Sequence, residues 1–140
     1  MFKHSLKTKL MKITVLIARV LLGLIYLVFG LNFFFHFLHM ATPAMSKEAG
    51  AFEGGLFGAG YFFPFMKVIE IVSGLFLLIN RYTAFFVLII FPITLNIFLF
   101  HAILAPAGVP LGGVMIIINI FLGYAYRKYY TSIFTASPTV

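Results

Sequence analysis

Four long apolar blocks, separated by short polar segments, dominate the pattern of hydrophobic and polar positions. Each block is long enough to cross a bilayer as a helix, and we predict helices at residues 13–39, 62–79, 83–104 and 111–126. The polar tripeptide Asn80-Arg81-Tyr82 predicts a tight turn after the second block, and Pro92 should kink the third. The pattern therefore predicts one all-α domain over residues 1–140, folded as a polytopic four-transmembrane-helix bundle.

The connection at residues 41–60 is rich in glycine and alanine but also contains Phe52, Leu56 and Phe57. Their i, i+4, i+5 spacing is typical of a short helix with one apolar face. Two interpretations stay open for this segment: a connector that lies on the membrane surface, or a lid that covers the end of the bundle.

Basic residues lie at the ends of the apolar blocks and predict the orientation of the chain. Placing both termini in the cytoplasm leaves Lys47 as the only basic residue in the outside loop, and Arg19 can snorkel inward. The cytoplasmic positions are then Lys3, Lys7, Lys9, Lys12, Arg81, Arg127 and Lys128. A signal peptide is the alternative for the N-terminus, but its apolar run is too long and contains Asn32 and His36, so we expect a retained helix.

Composition excludes several classes of protein. The chain is 63% hydrophobic and only 9% charged, whereas a soluble domain carries about 25% charged residues. The net charge of +7 comes largely from the ends of apolar blocks, which favours membrane lipids rather than nucleic acid as partners. With no cysteine in the sequence, thiol catalysis and iron–sulfur or zinc–thiolate sites are excluded, so redox chemistry would need a bound cofactor or a partner chain.

Each predicted helix carries one strongly polar side chain at about the same depth, roughly 12 Å from the outer boundary: Asn32, Glu70, Asn96 and Asn119. A second level at roughly 5–8 Å contains His36, Lys67 and His101. A charge at the centre of such a helix costs about 2.5–3.5 kcal/mol, so we expect these groups to face inward and share hydrogen bonds. Asparagines can also serve only to hold helices together, and that alternative stays open. The candidate polar pocket consists of Glu70, Asn96, His101, Lys67, Asn32, His36 and Asn119. No catalytic residue and no metal ligand is assigned.

Three motifs resemble the DoxX family of small bacterial membrane proteins. They are ARVLLGLIYLVFGLNFF in the first helix, GYFFPFMKVIEIVSGLFLLINRY through the second and PITLNIFLFHAIL in the third. The resemblance extends from about Ala18 to Tyr124 and implies a multi-pass protein of the bacterial inner membrane. Its family associations with quinol oxidase, thiosulfate–quinone oxidoreductase and detoxification systems imply a role near redox enzymes, and Glu70, Asn96 and His101 are the positions carried over as a pocket.

Two functions follow as expectations. The first is a non-catalytic subunit or accessory factor of a membrane-associated redox complex, with other protein subunits or a second copy of this chain as partners. Such a chain is not expected to be an enzyme on its own. The second is direct binding of a quinone or another small lipophile, with Glu70 as a proton acceptor and phenylalanines along an apolar channel. Those phenylalanines are Phe33, Phe34, Phe63, Phe65 and Phe100.

Histidine chemistry supplies weaker alternatives. His36 or His39 could bind haem together with His101, and the same three histidines with Glu70 could bind a metal ion. Transport is a further alternative, although a single small bundle shows no inverted repeat.

Overall fold

The computed structural model describes residues 2–140, and within that range the chain is helical without strands. The helices are α1 (Phe2–Phe35), α2 (Lys47–Gly58), α3 (Phe62–Ile79), α4 (Thr83–Ile103) and α5 (Val109–Ala125). A 3₁₀ turn, Pro106–Gly108, leads into α5. Four of these helices, α1, α3, α4 and α5 with its 3₁₀ turn, are long and apolar enough to cross a membrane. The all-helical class and the four long apolar helices are therefore confirmed.

The predicted helix bounds hold within two residues for α3, α4 and α5, but the bounds at residues 13–39 are wrong at both ends. Helix α1 begins at Phe2, so its 34 residues extend about 51 Å. Hydropathy marks where a chain enters hydrocarbon, whereas a helix continues until a residue stops it. No proline or glycine precedes Gly23, and the lysine-rich start is compatible with helix.

Helix α1 ends four residues before the predicted bound because Asn32 binds the backbone beyond it. The Leu38 amide donates to the Asn32 side-chain oxygen at 2.6 Å. His36 has a left-handed backbone with φ of 51°, and its amide donates to the Asn32 carbonyl at 2.8 Å. A left-handed residue just past the last turn is a common helix stop.

The four long helices surround a single core. Helix α1 packs along α3, α4 packs along α5, and contacts between α3 and α4 and between α1 and α5 complete the bundle. The core side chains include Leu22, Tyr26, Leu77, Ile90, Met115 and Leu122. Large apolar side chains such as Phe65, Phe85, Ile103 and Ile117 point away from the bundle and are exposed. An apolar exterior of this kind suits lipid as the surrounding solvent.

Helices α1 and α3 approach each other closely enough to touch through their backbones. A methyl group added at Gly74 would lie 2.7 Å from both the Gly23 carbonyl oxygen and the Leu27 amide nitrogen. One added at Gly30 would lie 2.6 Å from the Ile71 side chain. Small residues permit such packing in membranes, where van der Waals contact contributes strongly to helix association.

Arg19 lies buried at the end of this helix pair rather than snorkelling to an interface as predicted. Its guanidinium donates to the carbonyl oxygens of Leu77 and Leu78, in the last turn of α3. Those carbonyls have no amide partner within the helix, and a cation favours the negative end of the helix dipole. Arg19 therefore caps α3 from the neighbouring helix.

Replacing Gly74 with alanine should destabilise the protein by about 1–3 kcal/mol, because α1 and α3 must move apart. Gly123→Ala is the matched control, since nothing lies within 4 Å of its added methyl group and alanine favours helix. Thermal unfolding in detergent, followed by circular dichroism, checks the difference. Equal midpoints for the two variants would contradict the close backbone contact.

Candidate functional site

Glu70, which forms an ion pair with Lys67 on α3, is the most deeply buried charged side chain of residues 2–140. Lys67 Nζ donates to Glu70 Oε2 at 2.8 Å, and the side chains of Lys67 and Glu70 are 20% and 2% exposed. The pair forms because residues three apart lie on one helix face. The second carboxylate oxygen, Oε1, is buried and has no hydrogen-bond partner among residues 2–140.

A cavity of about 180 Å³ opens over this pair, and we call it the Glu70 cavity. Four of the predicted pocket residues line it: Lys67, Glu70, Asn96 and His101. The rest of its wall is largely apolar and includes Phe62, Phe63 and Ile97. Helices α3 and α4 therefore bring a carboxylate, an ammonium, an amide and an imidazole to one small apolar space.

Two further polar groups of this cavity remain available to a ligand. The Asn96 side chain is exposed, lines the cavity and makes no hydrogen bond within the described chain. His101 Nδ1 lies 3.1 Å from the Ala105 carbonyl oxygen, which can only accept, so Nδ1 carries a proton. In a neutral imidazole Nε2 is then an acceptor, and no residue from 2 to 140 satisfies it.

Glycines at the start of α5 position His101. A side chain at Gly108 would collide with the imidazole ring, and one at Gly112 would contact its Cδ2 atom at 3.6 Å. The glycine-rich stretch that begins α5 therefore serves internal packing at Gly108 and Gly112, whereas Gly113 faces open space.

Helix α2 lies over the Glu70 cavity. Phe52, Glu53 and Leu56 of α2 form part of the cavity wall. The Phe52 ring stacks on Phe100 of α4 with ring centroids 5.7 Å apart. The Phe57 and Phe63 rings, on α2 and α3, have centroids 4.3 Å apart. The predicted short helix is therefore present, and its contacts are those of a lid.

Ser46 holds the start of this lid. Its hydroxyl oxygen accepts the Ala49 amide at 3.1 Å and caps α2, as serine commonly does at this position. The same hydroxyl lies 3.3 Å from the Leu104 carbonyl oxygen at the end of α4. One short side chain thus joins the lid to the helix that supplies Asn96 and His101.

A second cavity, of about 440 Å³, adjoins the first, and we call it the vestibule. It lies between the segments 42–46 and 104–108. Glu53, Phe100 and His101 line both cavities. The vestibule and the Glu70 cavity therefore share one part of their wall at the α2 end of the bundle.

A cavity of similar volume at the opposite end has different chemistry. Tyr82, Tyr126, Tyr129 and Tyr130 line it, and no charged side chain does. The Tyr130 hydroxyl donates to the Ala84 carbonyl at 2.8 Å, which holds the C-terminal segment against α4. We base the candidate site on the α2 end, because the unsatisfied polar groups converge there.

The expectation that Asn32 and His36 join the pocket is wrong. The Asn32 side chain accepts a backbone hydrogen bond at the end of α1, and His36 lies past that end with an exposed side chain. Of the phenylalanines expected along a channel, Phe63 and Phe100 line the Glu70 cavity, whereas Phe34 and Phe65 are exposed. Phe33 instead packs against Phe57 and Phe63.

Asn119 also lies outside the pocket, in a separate hydrogen-bonded chain across the core. The Tyr26 and Thr94 hydroxyl oxygens are 2.5 Å apart, and Thr94 donates to Asn119 Oδ1 at 2.7 Å. Asn119 Nδ2 donates to the Val87 carbonyl at 3.1 Å, so this chain connects α1, α4 and α5. The expected hydrogen bonds among Glu70, Asn96, Asn32 and Asn119 do not form.

The depth pattern does not identify Tyr26, Thr94 or Arg19, because tyrosine and threonine are tolerated in apolar helices and Arg19 lies near a predicted boundary. The sequence does contain one feature that could have identified Thr94 as a polar group of the core: it lies two residues after Pro92 on the same helix. The proline leaves the Leu88 carbonyl without its helical amide partner, and hydroxyl groups often lie near such breaks.

The alternative metal site is not formed. Across residues 2–140, no three side chains of the histidine, cysteine, aspartate or glutamate type come together to hold a metal ion. His36 and His39 lie in the segment after α1 and are exposed, whereas His101 lines the two cavities.

No protein-family model, curated protein or solved structure matches this chain. The resemblance to the DoxX family therefore stays a prediction that is based on the three motifs.

Replacing Lys67 with methionine should destabilise the protein by about 3 kcal/mol, because the Glu70 carboxylate stays buried without its partner. The double variant Lys67→Met, Glu70→Gln should recover most of that loss, since no charge then remains to be buried. Heating in detergent followed by size-exclusion chromatography measures both. Lys47→Met is the control, because Lys47 is exposed and makes no ion pair. A Lys67→Met loss no larger than the control's would contradict the buried pair.

Proposed function

We propose that this chain is a DoxX-like multi-pass protein of the bacterial inner membrane that binds a quinone or quinol in the Glu70 cavity. In this role it serves as an accessory subunit of a membrane-associated redox complex. The observation that carries the proposal is that Glu70, Asn96 and His101 line one largely apolar cavity, while Glu70 Oε1 and the Asn96 amide have no hydrogen-bond partner within residues 2–140.

A quinone head group suits this arrangement. The Asn96 amide and the remaining Lys67 N–H bonds can donate to carbonyl oxygens, while Glu70 Oε1 and His101 Nε2 can accept from the hydroxyls of a quinol. A buried polar group without a partner costs about 1–3 kcal/mol, so a ligand that satisfies it gains that amount. Phe62, Phe63 and Phe100 supply the apolar surface that a ring requires.

The accessory role is supported by how little of the chain lies outside the four long helices. The parts beyond them are mainly residues 36–61, which include the 12 residues of α2, and residues 126–140. A chain built in this way can bind a small ligand and present it, but a partner protein would supply the electron donor or acceptor.

Membrane insertion with both termini in the cytoplasm is part of this proposal. The apolar exterior supports insertion, and the basic residues at the ends of the helices support this orientation. The Glu70 cavity and the vestibule then face the outer side of the membrane.

Ligand binding is tested by isothermal titration of the protein in nanodiscs with a decyl-substituted benzoquinone, with empty nanodiscs as the baseline. Asn96→Ala should weaken binding by roughly tenfold, because one hydrogen bond is lost and the ligand oxygen that it served stays without a partner. Asn32→Ala is the matched control, because Asn32 lies outside the cavity. Indistinguishable binding by the wild type and the double variant Glu70→Gln, His101→Ala would refute the site.

Orientation is tested with single cysteines, which are unique labels because the chain has none of its own. Ala44→Cys should react with a membrane-impermeant maleimide in cells whose outer membrane has been permeabilised. Ser5→Cys and Ser137→Cys should react only after the inner membrane is opened. All three positions are exposed, so a reversed pattern would reverse the proposed orientation.

A further inference from the structure

Glu53 occupies a position where an amphipathic helix would place an apolar residue. Ala49, four residues earlier, is fully buried, and Leu56, three residues later, is half-buried against the bundle. These spacings put Glu53 on the same inward face of α2. Its side chain is half-buried and makes neither an ion pair nor a hydrogen bond within residues 2–140.

The place where Glu53 lies is the junction of the two cavities. It lines the vestibule and the Glu70 cavity, as His101 and Phe100 do. A ligand that lies against this shared part of the wall is therefore close to the Glu53 carboxylate. The residue therefore contributes a charge to the site that the buried ion pair does not neutralise.

Counting the hydrogen-bonding atoms of the site shows an excess of acceptors. When the two carboxyl groups are ionised and the histidine is neutral, the Glu53 carboxylate, Glu70 Oε1 and His101 Nε2 each accept only. The Asn96 amide can both donate and accept. Lys67 is the one side chain lining this cavity that only donates, and one of its N–H bonds already donates to Glu70. A ligand with hydroxyl groups can satisfy this set better than one with carbonyl groups.

We infer that the site binds the reduced quinol in preference to the oxidised quinone, and that Glu53 is the residue that determines this preference. The inference depends on the proposed quinone site and specifies which redox form that site holds. A quinol donates from two hydroxyl groups, whereas the carbonyl oxygens of a quinone face carboxylate and imidazole lone pairs and are repelled. The site accordingly retains a quinol and releases the quinone, which suits a protein that presents reduced ligand to a partner.

The preference has a thermodynamic consequence. When the reduced form binds more tightly, the midpoint potential of the bound couple rises, and a tenfold difference in affinity corresponds to about 30 mV for two electrons. The bound quinol is then a weaker reductant than the same molecule in lipid.

The affinity ratio of the wild-type protein tests this inference directly. A decyl-substituted benzoquinone and its quinol, kept reduced under argon, are titrated separately into the protein in nanodiscs. The quinol should bind at least about tenfold more tightly than the quinone, because hydrogen bonds to charged groups are stronger than those between neutral groups. A para-alkylphenol and its methyl ether repeat the comparison without redox chemistry, and the phenol should bind more tightly.

Variants of the two glutamates in α2 assign the effect to Glu53. Glu53→Gln should reduce the quinol-to-quinone preference by at least about threefold, because the amide also donates. Glu48→Gln should leave the preference unchanged, since Glu48 is exposed and lines neither cavity. Glu53→Ala, with a matching size-exclusion profile, repeats the test if the glutamine variant does not fold.

The outcomes separate this inference from the proposal beneath it. Equal affinities for the two forms, or a preference for the quinone, overturn the inference and leave a quinone site. An unchanged ratio in Glu53→Gln and Glu53→Ala overturns the role of Glu53. Binding of neither form overturns the proposed function together with the inference.

Discussion

Polar groups inside an apolar bundle need partners within the protein, and this constraint decides where most of the polar side chains lie. In hydrocarbon an unsatisfied donor or acceptor costs several kcal/mol, because no water replaces the missing bond. Arg19 meets the requirement at the free carbonyls of α3, and Tyr26, Thr94 and Asn119 meet it by forming one chain across three helices. These contacts, together with the glycine-mediated packing of α1 on α3, leave little freedom in the arrangement of the helices.

The Glu70 cavity departs most clearly from this rule, because several unpartnered polar groups lie around one space, and it is for this reason the best candidate for function. The Ser73 hydroxyl of α3 is also buried without a partner within residues 2–140, but it does not line the cavity. Lys67 satisfies one oxygen of Glu70, but the other oxygen, the Asn96 amide and His101 Nε2 have no partner in the described chain. A purely structural polar layer would resemble the chain through Thr94, in which donors and acceptors are matched. Unmatched groups around an apolar space indicate a ligand that supplies the missing partners.

Helix α2 connects this chemistry to the outside of the bundle. Its contacts through Ser46, Phe52 and Phe57 hold it over the cavity, and its inward face carries Glu53 where packing alone would favour an apolar side chain. The lid is thus part of the site, because it adds a carboxylate at the junction of the vestibule and the Glu70 cavity. Movement of the lid would change both the access to the site and its charge.

The sequence by itself determined the number of long apolar helices and the approximate bounds of α3, α4 and α5, since a helix that can cross a membrane needs an apolar run of fixed length. It also determined the pairing of Lys67 with Glu70, because a spacing of three residues places both on one face of any helix. The convergence of Asn96 and His101 on that pair, the exclusion of Asn32, His36 and Asn119, and the inward face of Glu53 were decided by the tertiary structure. Depth in a helix can be counted along a chain, whereas the direction of a side chain around the helix axis depends on which neighbour packs against it. Asn32 lies in the last turn of α1, where its oxygen accepts a local backbone amide, and Asn119 bonds to a threonine on another helix. Both side chains therefore make hydrogen bonds other than those that depth alone assigned to the pocket.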